Sequence, residues 1–287
     1  MSFPWYTHSI IYRILNFNIV YKAESPLRIG SGKATKLASP IDMPVITVKF
    51  GEYESPYIPG SSIKGVFRSA SEYVAKSVGI KNVCERGDGC KEKYDKLLQD
   101  ALRELRSEEG ISKIINILKN YCIICKSFGS GTFRSHIDFH DAYSDAEVSR
   151  STKVGIAIDR RSGAAKRGAL FTIEYVNPGS IFKGSITLIN IPNYIVGLLA
   201  NVIDMVNNGI IKFGSMKSKG FGKVAMEITK VSGYTIENSM LKEIIGRTMI
   251  KALDEYDINI ELDPSNLKNY FNKCKEAWAE YVKKIGS

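Results

Sequence analysis

Residues 57–79 read "YIPGSSIKGVFRSASEYVAKSVG", and the reading of this stretch decides the fold. Ile63, Phe67, Ala70 and Val74 recur at spacings of four, three and four, the repeat of one face of an α-helix. Pro59 and Gly60 close the segment before it, and Ser61 or Ser62 is placed to cap the helix start. Lys64 and Arg68, four residues apart, are neighbours on another face. A helix start with hydroxyls and two cations nearby suits a phosphate. The plainer alternative is an ordinary solvated face.

Working outward, residues 10–21, "IIYRILNFNIVY", are rich in β-branched and aromatic side chains and are predicted as the first strand. Downstream, "HIDFHDAY", "KVGIAID", "ALFTIEYV" and "FKGSITLIN" are strand-like, separated by the turn chemistry of "RRSGAAKRG" and "NPGS". A second amphipathic helix covers about 192–208, with Ile195, Leu198, Leu199, Val202 and Val206 on its apolar side. "IKFGSMKSKGFGKVAMEI" then leads through glycines and lysines into a further strand. Strand, helix, strands, helix, strand is the order of a ferredoxin-like unit, so the expected class is α+β. The last fifty residues are predicted as two helices, the second carrying a core stripe of Leu267, Phe271, Cys274, Trp278 and Tyr281.

The chain has 287 residues, 44% of them hydrophobic and 24% charged, enough for a sizeable core. Its net charge of +10 points toward a polyanionic partner. The most apolar stretch, residues 194–208, is broken by Asn201 and Asp204 before bilayer length, so no membrane is expected. The start, "MSFPWYTHSIIYRI", lacks the features of a secretory signal, and a cytoplasmic location is expected. In that compartment cysteines are more often metal ligands than disulfides.

Cys84, Cys90, Cys122 and Cys125 are the metal candidates. "CIIC" has the two-residue spacing that lets both thiolates reach one tetrahedral Zn²⁺, and "CERGDGC" is looser, with five residues between its cysteines. Charge-rich helix from Lys91 to Asn120, interrupted around Gly110, separates the pairs and reads as an insertion. A closed four-cysteine zinc would staple that insertion and catalyse nothing. Free thiols or a disulfide are the alternatives, and Cys274 belongs to the core stripe. In "HIDFHD", His136, Asp138 and His140 share one face if the segment is a strand, most simply a half-exposed strand face.

Residues 26–45, "PLRIGSGKATKLASPIDMPV", imitate a nucleotide-binding loop and fail as one. Leu27 holds the position of its first glycine and Ala34 that of its Ser or Thr. Near the other end, Gly214, Gly220 and Gly222 permit close backbone approach, and Lys217 and Lys219 add charge. Such a loop can follow a sugar–phosphate backbone without reading bases, and a flexible hairpin is the plainer alternative.

Taken together, "YIPGSSIKGVFRS", "CIICKSFGS" before "HDAY", "IAIDRRSGAAKRGALFTIEYVNPGSIFKG" and the late glycine loop resemble the RAMP superfamily. In particular they are similar to the repeated backbone subunit of type III CRISPR effector complexes of the Csm and Cmr kind. The resemblance spans about residues 10–230. It implies a ferredoxin-like, RRM-like core over 1–235 that includes the helical, cysteine-flanked insertion at 80–126. It also implies a β-hairpin thumb near 150–172, with 236–287 as a C-terminal helical extension. The implied partners are CRISPR RNA, target RNA, other RAMP subunits and further copies of the chain.

By the same resemblance, Asp42 in "SPIDMPV" matches the acid that cleaves target RNA beside each thumb, with Mg²⁺ or another divalent ion. Ala38, Ser39 and Pro40 stand where relatives often carry glycines. The implied RNA-binding set is Lys33, Ser61, Ser62, Lys64, Arg68, Arg160, Arg161, Lys217, Lys219, Gly220 and Gly222. Two alternatives remain open: a non-catalytic RNA-binding scaffold in the same complex, and a stand-alone processing endoribonuclease that uses a histidine.

Overall fold

A computed structural model describes residues 4–30, 40–84, 88–104, 107–237 and 240–286. It is a mixed α/β fold built on a mostly antiparallel sheet. Strand β1 (Arg13–Ala23) is the centre. After it come the hairpin β2 (Thr47–Phe50) and β3 (Tyr53–Pro56), then α1 (Gly60–Ser77). Next are a one-turn α2 (Asp88–Cys90), a π-turn at Lys91–Asp95, α3 (Lys96–Arg103), α4 (Glu108–Lys119) and α5 (Ile123–Phe128). The chain then forms β4 (Ile137–Phe139), β5 (Arg150–Ile158), β6 (Ala165–Val176), β7 (Ile181–Ile189) and α6 (Asn193–Asn207). It ends in β8 (Val224–Glu237), β9 (Met240–Glu243), β10 (Thr248–Ile250), β11 (Ile260–Leu262) and α7 (Leu267–Gly286).

The five-stranded sheet runs β4-β7-β1-β8-β9, with each neighbouring pair antiparallel. Alternation along β1 sends Leu15, Phe17, Ile19 and Tyr21 to the covered face, while Asn18 and Lys22 are exposed on the other. Ile63, Phe67 and Ala70 of α1 and Leu198, Leu199 and Val202 of α6 are buried in the same core. Phe67 lies 5.3 Å from Phe139, which ties α1 to the β4 edge. Helices α6 and α7 approach so closely that a Cβ on Gly197 would sit 1.9 Å from the Cys274 carbonyl oxygen, so only glycine fits there.

Strands β5 and β6 form a separate two-stranded ribbon outside the sheet. Its root is tied down by bridges Leu27–Val176 and Met43–Ile173, and beyond them Val154, Ile156, Ile158 and Leu170 are exposed.

Two expectations fail locally. The last fifty residues hold one helix, α7, preceded by β9, β10 and β11. Pairing with β8 and between β10 and β11 wins there over helical propensity. The helical run between the cysteine pairs is not interrupted at Gly110: α3 ends at Arg103, and α4, which contains Gly110, starts at Glu108. Ser107 Oγ accepts a hydrogen bond from the Gly110 amide at 2.9 Å, a cap that starts α4.

Candidate nucleic-acid interface and metal centre

The site is assembled where the chain leaves β1. Arg28 is 8% exposed and its guanidinium reaches two segments at once. It donates to the Met43 carbonyl at 3.2 Å, to the Pro44 carbonyl at 3.5 Å and to Ser215 Oγ at 2.8 Å. Burial pulls its pKa below the ordinary value, and the charge of Glu174 opposes that. The Asp42 strip is thereby joined to the glycine loop.

Asp42 is exposed, yet it is held in place. Its Oδ2 accepts a hydrogen bond from the Thr172 amide at 2.7 Å, and the Met43 amide donates to the Thr172 carbonyl at 3.0 Å. The acid therefore sits at the root of the β5–β6 ribbon. Its other oxygen has no protein partner among the described residues. Arg160 and Arg161 are exposed in the turn at the ribbon's far end, where Asp159 accepts from the Arg161 and Ser162 amides.

The glycine loop packs on the strand end through Ser215, whose amide donates to the Arg28 carbonyl at 2.9 Å. Gly222 has φ +85°, and a Cβ there would lie 2.0 Å from the Phe213 carbonyl oxygen. Gly220, at φ +86°, faces open space. Lys217 and Lys219 are exposed and have no acidic partner among the described residues. Lys212 Nζ donates to the Lys217 carbonyl at 3.1 Å.

Between this loop and α1 runs a cleft of about 780 Å³, bringing Ser62, Ser69 and Tyr73 opposite Lys212, Ser215 and Lys217. Ser62 and Lys217, far apart in the chain, thus share one wall-to-wall space. Lys64 and Arg68 do not line it. Burial and the charge of Arg68 lower the Lys64 pKa, and Asp138 opposes them. Arg68 turns toward the cysteines: it pairs with Glu72 at 3.2 Å and donates to the Gly129 carbonyl at 2.8 Å and to Cys125 Sγ at 3.3 Å. Lys33 lies outside the described residues.

The start of α1 is not capped by Ser61 or Ser62. Pro59 occupies the cap position, Ser61 is exposed, and Asp141 Oδ1 accepts from the Gly60 amide at 2.7 Å. A carboxylate thus already occupies the helix start where a phosphate was expected.

The four cysteines converge. Their Sγ atoms lie within 4.8 Å of one another, and all four side chains are buried free thiols. A tetrahedral zinc with Zn–S near 2.3 Å needs sulfurs about 3.8 Å apart, so the set fits such a metal. Amides of Cys90, Cys122 and Cys125 donate to Cys84, Cys90 and Cys122 sulfurs at 3.1, 3.2 and 3.3 Å. Such bonds favour thiolates. Hydrogen bonds from Cys125 and Cys90 hold the Cys122 thiol below its usual range, while the neighbouring sulfurs and burial hold Cys84, Cys90 and Cys125 above theirs, so one thiolate is shared by the cluster. Asp95 braces the helical segment beside it, accepting from Tyr121 Oη at 2.8 Å and Ser130 Oγ at 3.0 Å.

The histidines do not form one face. His136 precedes β4, is fully buried, and stacks on His8 at 3.9 Å, whereas His140 is exposed and bonds Thr187 Oγ1 at 3.0 Å. Alternation begins only at Ile137, so Asp138 and His140 face away from the core and His136 does not join them.

Periodicity gave no signal for Arg28, Ser215 or Asp141, because each acts through a contact across the chain. Two comparisons complete the picture. A family model described as the RAMP superfamily matches residues 20–225. A search of curated proteins returns no match.

Proposed function

The chain belongs to the RAMP superfamily, and from that premise we propose that it is a CRISPR-associated RNA-binding subunit, placed in the backbone of a type III effector complex. The sheet order β4-β7-β1-β8, with α1 and α6 as the crossovers, supports a ferredoxin-like core. The β5–β6 ribbon, projecting with exposed Val154, Ile156 and Ile158, suits the thumb. The carrying observation is Arg28. One buried guanidinium joins the lysine-bearing loop to the strip that holds Asp42 at the ribbon root.

In this reading, Lys217 and Lys219 hold the guide strand by its phosphates, without base preference. The ribbon interrupts the guide–target pairing and leaves a target nucleotide out of line with its stack. RNA carries its own nucleophile, the 2′-hydroxyl, so cleavage needs mainly that the 2′-oxygen, phosphorus and 5′-oxygen be brought into line. Asp42, fixed by Thr172, orients the distorted nucleotide through its unengaged oxygen. Among the described residues no set of three acids or histidines forms around it. A divalent ion would therefore share Asp42 with RNA phosphates and water, as Mg²⁺ usually does.

The bond between Asp42 and Thr172 equally favours a second reading, in which the acid only clamps the ribbon and the subunit is architectural. Cleavage of guide-complementary RNA by the assembled complex separates the two. Loss of cutting with retained RNA binding in Asp42→Asn supports the nuclease, and unchanged cutting supports the scaffold. The buried cysteine cluster is assigned as a structural zinc site, remote in role from the chemistry.

A further inference from the structure

We infer that the cleft between α1 and the glycine loop stacks a base of single-stranded RNA, with Tyr73 as its platform. This rests on the RNA-binding reading above and adds the residue that meets a base, where the lysines meet phosphates.

The cleft mixes two characters. Lys212, Ser215, Lys217 and Ser218 line it with polar and cationic groups, and Val66, Tyr73, Ile210 and Ile211 line it with apolar ones. None of its lining residues is acidic. A nucleotide combines the same two characters, an anionic phosphate and flat apolar faces on its base. An acidic peptide would use the lysines but would leave the apolar groups uncovered.

Tyr73 is 66% exposed, as is Ile210 at the same cleft. The Tyr73 ring has no aromatic or hydrogen-bond partner among the described residues. Ser62 and Tyr73 are eleven residues apart on one helix, about 16 Å along its axis. That length accommodates more than one nucleotide at about 3.4 Å per stacked step. In this proposal a base stacks on the exposed Tyr73 ring while neighbouring phosphates meet Lys212 and Lys217, which line the same cleft. Stacking is tolerant of base identity, because every base has a π-face.

The test is a titration of the full chain with a twelve-nucleotide single-stranded RNA carrying 2-aminopurine, whose fluorescence is quenched on stacking. Wild type is expected to bind and quench. Tyr73→Ala is expected to bind about tenfold more weakly, to lose the quenching and to keep the same salt dependence. Tyr73→Phe should restore both affinity and quenching. Lys217→Ala should do the opposite, lowering the salt dependence while quenching persists at saturation. Wild-type binding that Tyr73→Ala leaves unchanged, with quenching intact, overturns the stacking site and leaves the RNA-binding reading standing. Absence of wild-type binding even in dilute buffer overturns both.

Discussion

The carboxylate of Asp42 accepts a hydrogen bond from the Thr172 amide at 2.7 Å, so the acid and the root of the β5–β6 ribbon form one unit across 130 residues of chain. A side chain that is both exposed and pinned in this way can be altered in chemistry without being altered in place. Asp42→Asn keeps an oxygen that accepts from Thr172, and its stability is expected within about 1 kcal/mol of wild type. In the assembled complex it should abolish target cleavage while guide RNA remains bound. Denaturant unfolding and a gel assay of target RNA check the two halves.

Arg28 is buried and serves Met43, Pro44 and Ser215 together. Arg28→Met keeps much of the side-chain volume but strands those acceptors. It should cost about 2–4 kcal/mol, seen as a lower urea midpoint at unchanged slope. Ser215→Ala removes one partner only and should cost about 1 kcal/mol.

Two glycines of the same loop should behave differently. Gly222→Ala puts a methyl 2.0 Å from the Phe213 carbonyl oxygen at φ +85°, so the loop must move and stability and RNA binding should both fall. Gly220→Ala has the same left-handed backbone but open space around it, so it should cost only about 1–2 kcal/mol. Thermal unfolding of the pair checks the contrast, and equal effects would contradict it.

The cysteine cluster is expected to carry about one zinc per chain, measured by elemental analysis of the purified protein. Chelation should lower the melting temperature, and Cys122→Ser or Cys84→Ser should reproduce that loss. Four freely titrating thiols in metal-replete protein would contradict it.

His136 gives the stability a defined acid limb. Burial, reinforced by the charge of His8, lowers its pKa to about 4. In the unfolded chain the value is about 6.5. Between those values the unfolded chain binds a proton that the folded chain refuses. The His136 contribution is therefore complete above about pH 6.5, falls as the pH drops below it, and is gone near pH 4, a loss of about 3 kcal/mol. Unfolding measured at pH 7.5, 6 and 5 should show the decline, and a flat profile would contradict it.

Much of this architecture was legible before any coordinates. The spacing of Ile63, Phe67, Ala70 and Val74 located α1, and the β-branched runs located β1 and β4–β7, because core burial imposes those periods. "CIIC" announced a metal-type cluster, which the fold completes with Cys84 and Cys90. What stayed hidden depended on distant partners. No local rule shows that Asp141 caps α1, or that Arg68 turns toward Cys125 while Ser62, on the same helix, lines the cleft. The strands β9–β11 were missed for the same reason, since short pairings are decided by what lies beside them.

The central claim is that the lysine-lined cleft grips a ribose–phosphate strand by charge, and its most direct test is the affinity of the full chain for a single-stranded RNA across a salt series. Contacts from Lys212 and Lys217, which line the cleft, and from exposed Lys219 on the same loop should give a logarithmic slope of about −2, from about −0.7 per phosphate, and replacing all three by alanine should flatten it. RNA binding with no salt dependence, or a slope untouched by the triple replacement, would contradict the claim.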